Sequence, residues 1–160
     1  QDIADAINAK PDNLFSTTSD GVTTHAFQPV SIADTSAPNN SELSKLATGM
    51  IDGLTSNSDL TRDEATALMQ KALSGGHLKK AVVTNVVTTN GKASVSYAEA
   101  EKIIKDLIKD DDFRNGLSLG QLTKLSTLMQ YDQSIYDMIA ASIKALLANV
   151  KKNANQLGGG

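Results

Sequence analysis

SIYDMIAASIKALLANV, residues 134–150, places apolar side chains at Ile135, Met138, Ile139, Ile143, Leu146, Leu147 and Val150, with Ser142 the only small polar interruption. Spacing of i, i+3, i+4 and i+7 held through the whole stretch predicts one helix burying one continuous stripe. Asp132 or Ser134 is placed to cap its start, and Lys144, Lys151 and Lys152 put positive charge toward its negative end. A stripe of this length requires several partner helices, and the chain upstream carries the pattern to supply them.

Upstream, SELSKLATGMIDGL (41–54) sets Leu43, Leu46, Ala47, Met50, Ile51 and Leu54 on one face, with Gly49 and Gly53 either weakening that helix or allowing close packing. The next segment opens on Thr61-Arg62-Asp63-Glu64, a capping box, runs through Leu68, Met69, Ala72 and Leu73, and stops at Gly75-Gly76. The same box recurs at Ser96 with Glu99, ahead of Ile103, Ile104, Leu107 and Ile108, and at Ser118 with Gln121, ahead of Leu122, Leu125, Leu128 and Met129. In each case an apolar residue precedes the cap, and the threefold use predicts helix hairpins of related design. Unequal spacing between the boxes does not support a solenoid repeat.

Residues 77–97 read two ways. Leu78, Val82 and Val86 align as a helix. As a hairpin, VVTNVVTT and KASVSY flank Asn90-Gly91, a favoured two-residue type I′ turn, pairing Val86 with Val95 and Thr84 with Tyr97. Valine and threonine content favours strand, whereas the helical neighbours and Ser96 as a cap favour helix, which is the preferred reading. Ahead of the helices, Asp2–Ala9 has two turns of helical pattern that Pro11 limits, and residues 10–40 are rich in Ser, Thr, Asn, Asp and Pro. Phe15, Val22, Phe27, Val30 and Ile32 are its scattered apolar anchors, and THAFQPVSI (24–32) has the look of an extended strand. A long irregular segment of this kind is read as an arm that packs on the helices or on a neighbouring molecule. Asn39-Asn40-Ser41 forms a glycosylation sequon, usable in a secreted eukaryotic protein and common by chance.

The expected fold is therefore all-α: a bundle of five to six helices arranged as helix hairpins over 41–152. An irregular arm covers 1–40, a flexible Gly-rich tail covers 153–160, and a small β-hairpin near 82–97 is the alternative. With 160 residues the chain is long enough for one domain with a real core, and with no cysteine it has neither disulfides nor thiolate metal sites. A net charge of −3 from 15 basic and 18 acidic residues, well mixed, argues against nucleic-acid binding. No run reaches the ~18 apolar residues of a membrane span, so no membrane insertion is expected. Beginning at Gln1 and finishing NANQLGGG, the chain reads either as the first folded piece of a longer secreted protein after leader removal or as a segment cut from something longer.

Signals for chemistry are sparse. Asp110-Asp111-Asp112, with Asp106 one turn earlier, is the densest acidic cluster; it can hold a divalent cation weakly, but such a run is more often a solvated helix exit. His25 and His77 have no partner at zinc-ligand spacing, and no GxSxG elbow or phosphate-binding glycine loop occurs. The chain is thus read as no enzyme, with no cofactor. LTRDE (60–64) and NGKASVSYAE (90–99) have a loose likeness to calcium-binding helix–loop–helix loops, but the first ligand positions fall on Gly53 and Val86, which lack side-chain oxygens. Tyr131, Tyr136 and the methionines Met50, Met69, Met129 and Met138 form either an adaptable binding face or, more often for such a pattern, core filler.

GLSLGQLTKLSTLMQ (116–130) followed by SIYDMIAASIKALLANV (134–150) resembles the last two helices of the N-terminal domain of spider silk proteins, over about a third of the chain. The resemblance implies a five-helix secreted domain that keeps its chain soluble in storage and dimerises as pH falls, through clustered carboxylates and opposing lysines. No residue roles are carried over from it. The functional expectation is an extracellular, non-enzymatic assembly domain forming a homo-oligomer within a larger structural protein. Asp106, Asp110, Asp111 and Asp112, with Phe27, Val30 and Ile32 of the arm, are its candidate contacts. The alternatives are a secreted microbial effector or adhesin fragment that binds a host or chaperone protein, and a degenerate calcium-responsive module.

Overall fold

Reciprocal capping boxes start four of the helices in the computed structural model, which describes residues 27–88, 90 and 92–159; the side chains of Asn57 and of residues 150–159 lie outside the description. In chain order the elements are β1 (Val30–Ile32), α1 (Asn40–Asn57), α2 (Arg62–Ser74), α3 (His77–Asn85), β2 (Ala93–Val95), α4 (Tyr97–Lys109), α5 (Asp111–Asn115), α6 (Leu119–Leu128) and α7 (Gln133–Gly159). Thr61, Ser96 and Ser118 each accept the N–H of the residue three positions on, and Glu64, Glu99 and Gln121 return to the cap N–H, as their spacing predicts. The fourth box is Asn39 with Glu42, which starts α1. The same asparagine opens the Asn39-Asn40-Ser41 sequon.

The described chain is an all-α bundle with one small sheet. Six of its helices are those the periodicity predicts; the seventh, α5, is a short helix whose start Asp110 caps by accepting from the N–H groups of Asp112 and Phe113. Residues 82–97 divide between the two readings. Helix α3 runs to Asn85, and Val86 closes it by donating its N–H to the Val82 carbonyl at 3.0 Å. A strand follows at Ala93–Val95, but its partner is the arm: β1 and β2 run antiparallel with Val30 opposite Val95, Ser31 opposite Ser94 and Ile32 opposite Ala93. The register of Val86 with Val95 is thereby replaced, because Val86 is committed to the helix end and to the core. The pattern at Asp2–Ala9, Phe15, Val22 and His25, and Gly91 of the turn, lie outside the described residues.

The described end of the arm, from Phe27 to Ile32, is packed into the core. Phe27 and Ile32 are buried to 0% and 1% exposure, which corrects their reading as intermolecular contacts; Val30 is half-buried against the same core. The Phe27 ring meets Tyr97 edge-on at 6.1 Å and lies over Gly49, where a Cβ would stand 3.2 Å from its Cδ1. Gly49 is thus a close-packing glycine. Glu42 holds the arm to α1, taking the Ala33 N–H on Oε2 at 2.8 Å and the Asn39 N–H on Oε1 at 3.0 Å.

Helices α1 and α4 supply the centre of the bundle: Leu46, Met50 and Leu54 from one, Ala100, Ile103, Ile104, Leu107 and Ile108 from the other. Helix α7 contributes less than its sequence stripe predicts. Ile135 and Ile139 are buried, Ile143 and Leu146 are only partly covered at the core edge, and Leu147 is 49% exposed. The helix continues to Gly159, through the residues read as a flexible tail; Ala154, Gln156 and Leu157 there are good helix formers. Its start is fixed by Asp132, which accepts the Ile135 N–H at 3.2 Å and pairs with Lys105 of α4 at 3.0 Å.

Candidate functional site

Helix α4 ends and α5 begins at a single residue, Asp110, and this sharp corner gathers the acidic cluster. Asp106 lies one turn before the end of α4, and Asp111 and Asp112 open α5. The four aspartates line one open groove of about 590 Å³, whose opposite wall is α3 with His77, Lys80 and Thr84. The sequence-selected carboxylates are therefore brought together, and Phe27, Val30 and Ile32 lie elsewhere, in the core and sheet.

Most of these carboxylates already serve the fold. Asp110 Oδ1 accepts the Asp112 N–H at 2.9 Å and the Phe113 N–H at 3.3 Å, while Oδ2 meets His77 Nδ1 at 2.9 Å. Asp106 accepts from the Asn85 side-chain amide at 2.8 Å. Asp111 pairs with Arg114, whose guanidinium also donates to the Ile108 carbonyl at 2.6 Å and to Ser142 Oγ of α7 at 2.7 Å. Asp111 remains open to solvent, with 78% of its side chain exposed, and Asp112 is exposed beside it. Partial burial pushes the Asp110 carboxyl up. The Phe113 N–H, the His77 imidazole and the Asp112 N–H pull it down more strongly, so it sits below the ordinary carboxylate value.

His77 is the residue that sequence spacing passed over. Its ring is fixed by Asp110 on one side and meets the buried Phe113 ring edge-on at 5.8 Å. No local motif signals the pair, because the two residues lie 33 positions apart and meet only where α3 packs against α4. An Asp-held imidazole can orient a proton, but Thr84, the one hydroxyl residue among the described residues lining the groove, donates to the Lys80 carbonyl at 2.9 Å. Among the described residues no group of three or more histidine and carboxylate side chains is arranged to hold a metal ion. The calcium-loop likeness at 53–64 also fails on geometry: Gly53 lies within α1, the connection to α2 is only Ser58–Thr61, and Glu64 is held by Thr61 and Lys124.

Elsewhere, Met50, Met69 and Met129 are core residues, and Tyr131 and Tyr136 are exposed near the start of α7. No helix among the described residues is long and apolar enough to cross a membrane. Fold and groove together define a helical-bundle domain with an acidic surface corner. No family model, curated protein or solved structure matches the chain.

Proposed function

We propose that this chain is a non-enzymatic assembly domain of a secreted structural protein, associating with a second copy through the outer half of α7. The observation that supports this reading is the apolar stripe of α7, which outruns the bundle: it is covered at Ile135 and Ile139, half-covered at Ile143 and Leu146, and open at Leu147. A helix that leaves its own core gains most of its stability from packing an amphipathic face, and a like helix supplies such a face. The resemblance of residues 116–150 to silk N-terminal domains supports the secreted, structural part of the reading. The surface invoked is apolar, so association is expected to follow protein concentration and to differ little between neutral and mildly acidic pH.

Light scattering behind size exclusion, at two protein concentrations and at about pH 7.5 and about pH 5.5, tests it. A dimer fraction that rises with concentration at both pH values is expected, and Leu147→Glu lowers it. Monomer under all four conditions refutes self-association. A second reading is favoured by the exposed carboxylates of Asp111 and Asp112: the groove docks a basic segment of a foreign protein, as an effector or adhesin fragment does. That reading predicts a monomer whose partner binding weakens with salt.

A further inference from the structure

Asn39-Asn40-Ser41 is the single N-x-S/T pattern of the chain. We propose that Asn39 is the acceptor of an N-linked glycan whose first sugar lies over the groove between α1 and α2. The site rests on the secreted part of the proposed function, because transfer to asparagine takes place in the secretory route.

Asn39 is exposed and is the N-cap of α1. Its Oδ1 accepts the Glu42 N–H at 2.8 Å, and its own N–H donates to Glu42 Oε1 at 3.0 Å. With Oδ1 aimed into the first turn, the planar amide directs Nδ2 away from the helix. Substitution at Nδ2 therefore leaves both arms of the capping box intact, since the carbonyl oxygen and the backbone N–H are untouched. In the transfer, Nδ2 loses one proton and bonds to the anomeric carbon of the sugar. The bond from that carbon to the oxygen of a lipid-linked pyrophosphate donor breaks, and the lipid pyrophosphate leaves with the electron pair.

The fold also provides a seat. Asn40, Leu43 and Ser44 share one face of α1, and Gln70, Leu73 and Ser74 share one face of α2 at the same spacing. Between them lies an open groove of about 420 Å³ that begins one residue after the acceptor. Leu43 and Leu73 give it an apolar floor for a sugar ring, and Ser44, Gln70 and Ser74 give a polar rim for hydroxyl and acetamide groups.

The experiment is secretion of the full chain from insect cells behind a cleavable leader, with intact mass measured before and after peptide-N-glycosidase treatment. One glycan is expected on the wild-type chain, removed by the enzyme with aspartate left at position 39. It is expected to be absent from Asn39→Asp and Ser41→Ala. Asn39→Asp retains a capping oxygen, so its loss of mass reports a lost acceptor and not a lost fold. A wild-type chain secreted at its bare mass overturns the proposal. The seat is read separately: the glycosylated chain melts a few degrees above the enzyme-treated one, and equal melting removes the groove contact. Occupancy and oligomeric state fail independently: a glycosylated monomer loses only the assembly reading, and a dimer at bare mass loses only the site.

Discussion

Asp110 closes α4 through its backbone N–H, which donates to the Leu107 carbonyl, while its carboxylate opens α5 and holds His77. Its two oxygens divide the work: Oδ1 satisfies backbone N–H groups that α5 leaves without partners, and Oδ2 meets the imidazole. Asp110→Ala removes the cap and is expected to cost about 1–2 kcal/mol in chemical denaturation. Asp110→Asn keeps a capping oxygen and loses less. Because the carboxyl is held below its ordinary value, its contribution is present above the unfolded value of about 3.9 and is lost as pH falls through the lower folded value. Asp110→Asn therefore flattens the acid limb of a stability–pH profile and leaves the neutral range in place. An acid limb identical to wild type would show that the carboxylate carries no such linkage.

Helix α7 has two halves with different energetics. Ile139 is fully buried, so Ile139→Ala is expected to cost about 2–5 kcal/mol through lost transfer and a residual cavity. Ile143 is only partly covered, and Ile143→Ala costs clearly less in the monomer. Leu147→Glu, at an exposed position, changes the thermal midpoint of dilute protein little while lowering the dimer fraction at high concentration. Equal destabilisation by Ile139→Ala and Ile143→Ala in dilute protein would mean that the bundle covers the whole stripe. At this scale the sequence was most legible at the helix starts. Thr61, Ser96 and Ser118 lie within three residues of their partners, so the chemistry of each box is contained in a few letters. The same logic applied to Asn39 and Glu42 identifies the fourth box.

Across the whole molecule, carboxylates stitch separate elements and are held low for that reason. Lys124 lowers Glu64, which joins the start of α2 to α6; Lys105 lowers Asp132, which joins α4 to the start of α7; and the Ala33 and Asn39 N–H groups lower Glu42, which joins the arm to α1. Burial pushes the Lys105 ammonium down, but Asp132 and Glu101 raise it further, and it ends above its ordinary value. The signs differ. The carboxylate contributions are lost as pH falls through their lowered folded values, and that of Lys105 is lost as pH rises through its raised one. Thermal midpoints are expected to form a plateau between about pH 5 and about pH 10 and to fall on both sides. A maximum near pH 5 with loss toward neutrality would refute this distribution and favour a switch driven by carboxylate protonation.

The sequence by itself determined the all-α class, the box-started helices and the gathering of Asp106 with Asp110–Asp112, because each depends on residues within a turn or two of one another. Tertiary structure alone decided that β2 pairs with β1, that Phe27 and Ile32 are core, that Glu64 meets Lys124 and that His77 faces Asp110. These contacts join segments far apart in the chain, and no local periodicity encodes which distant partner a strand, ring or charge will meet. The reach of the α7 stripe belongs to the same class. Its pattern shows which face is apolar, whereas the extent of its burial depends on how far the neighbouring helices extend alongside it.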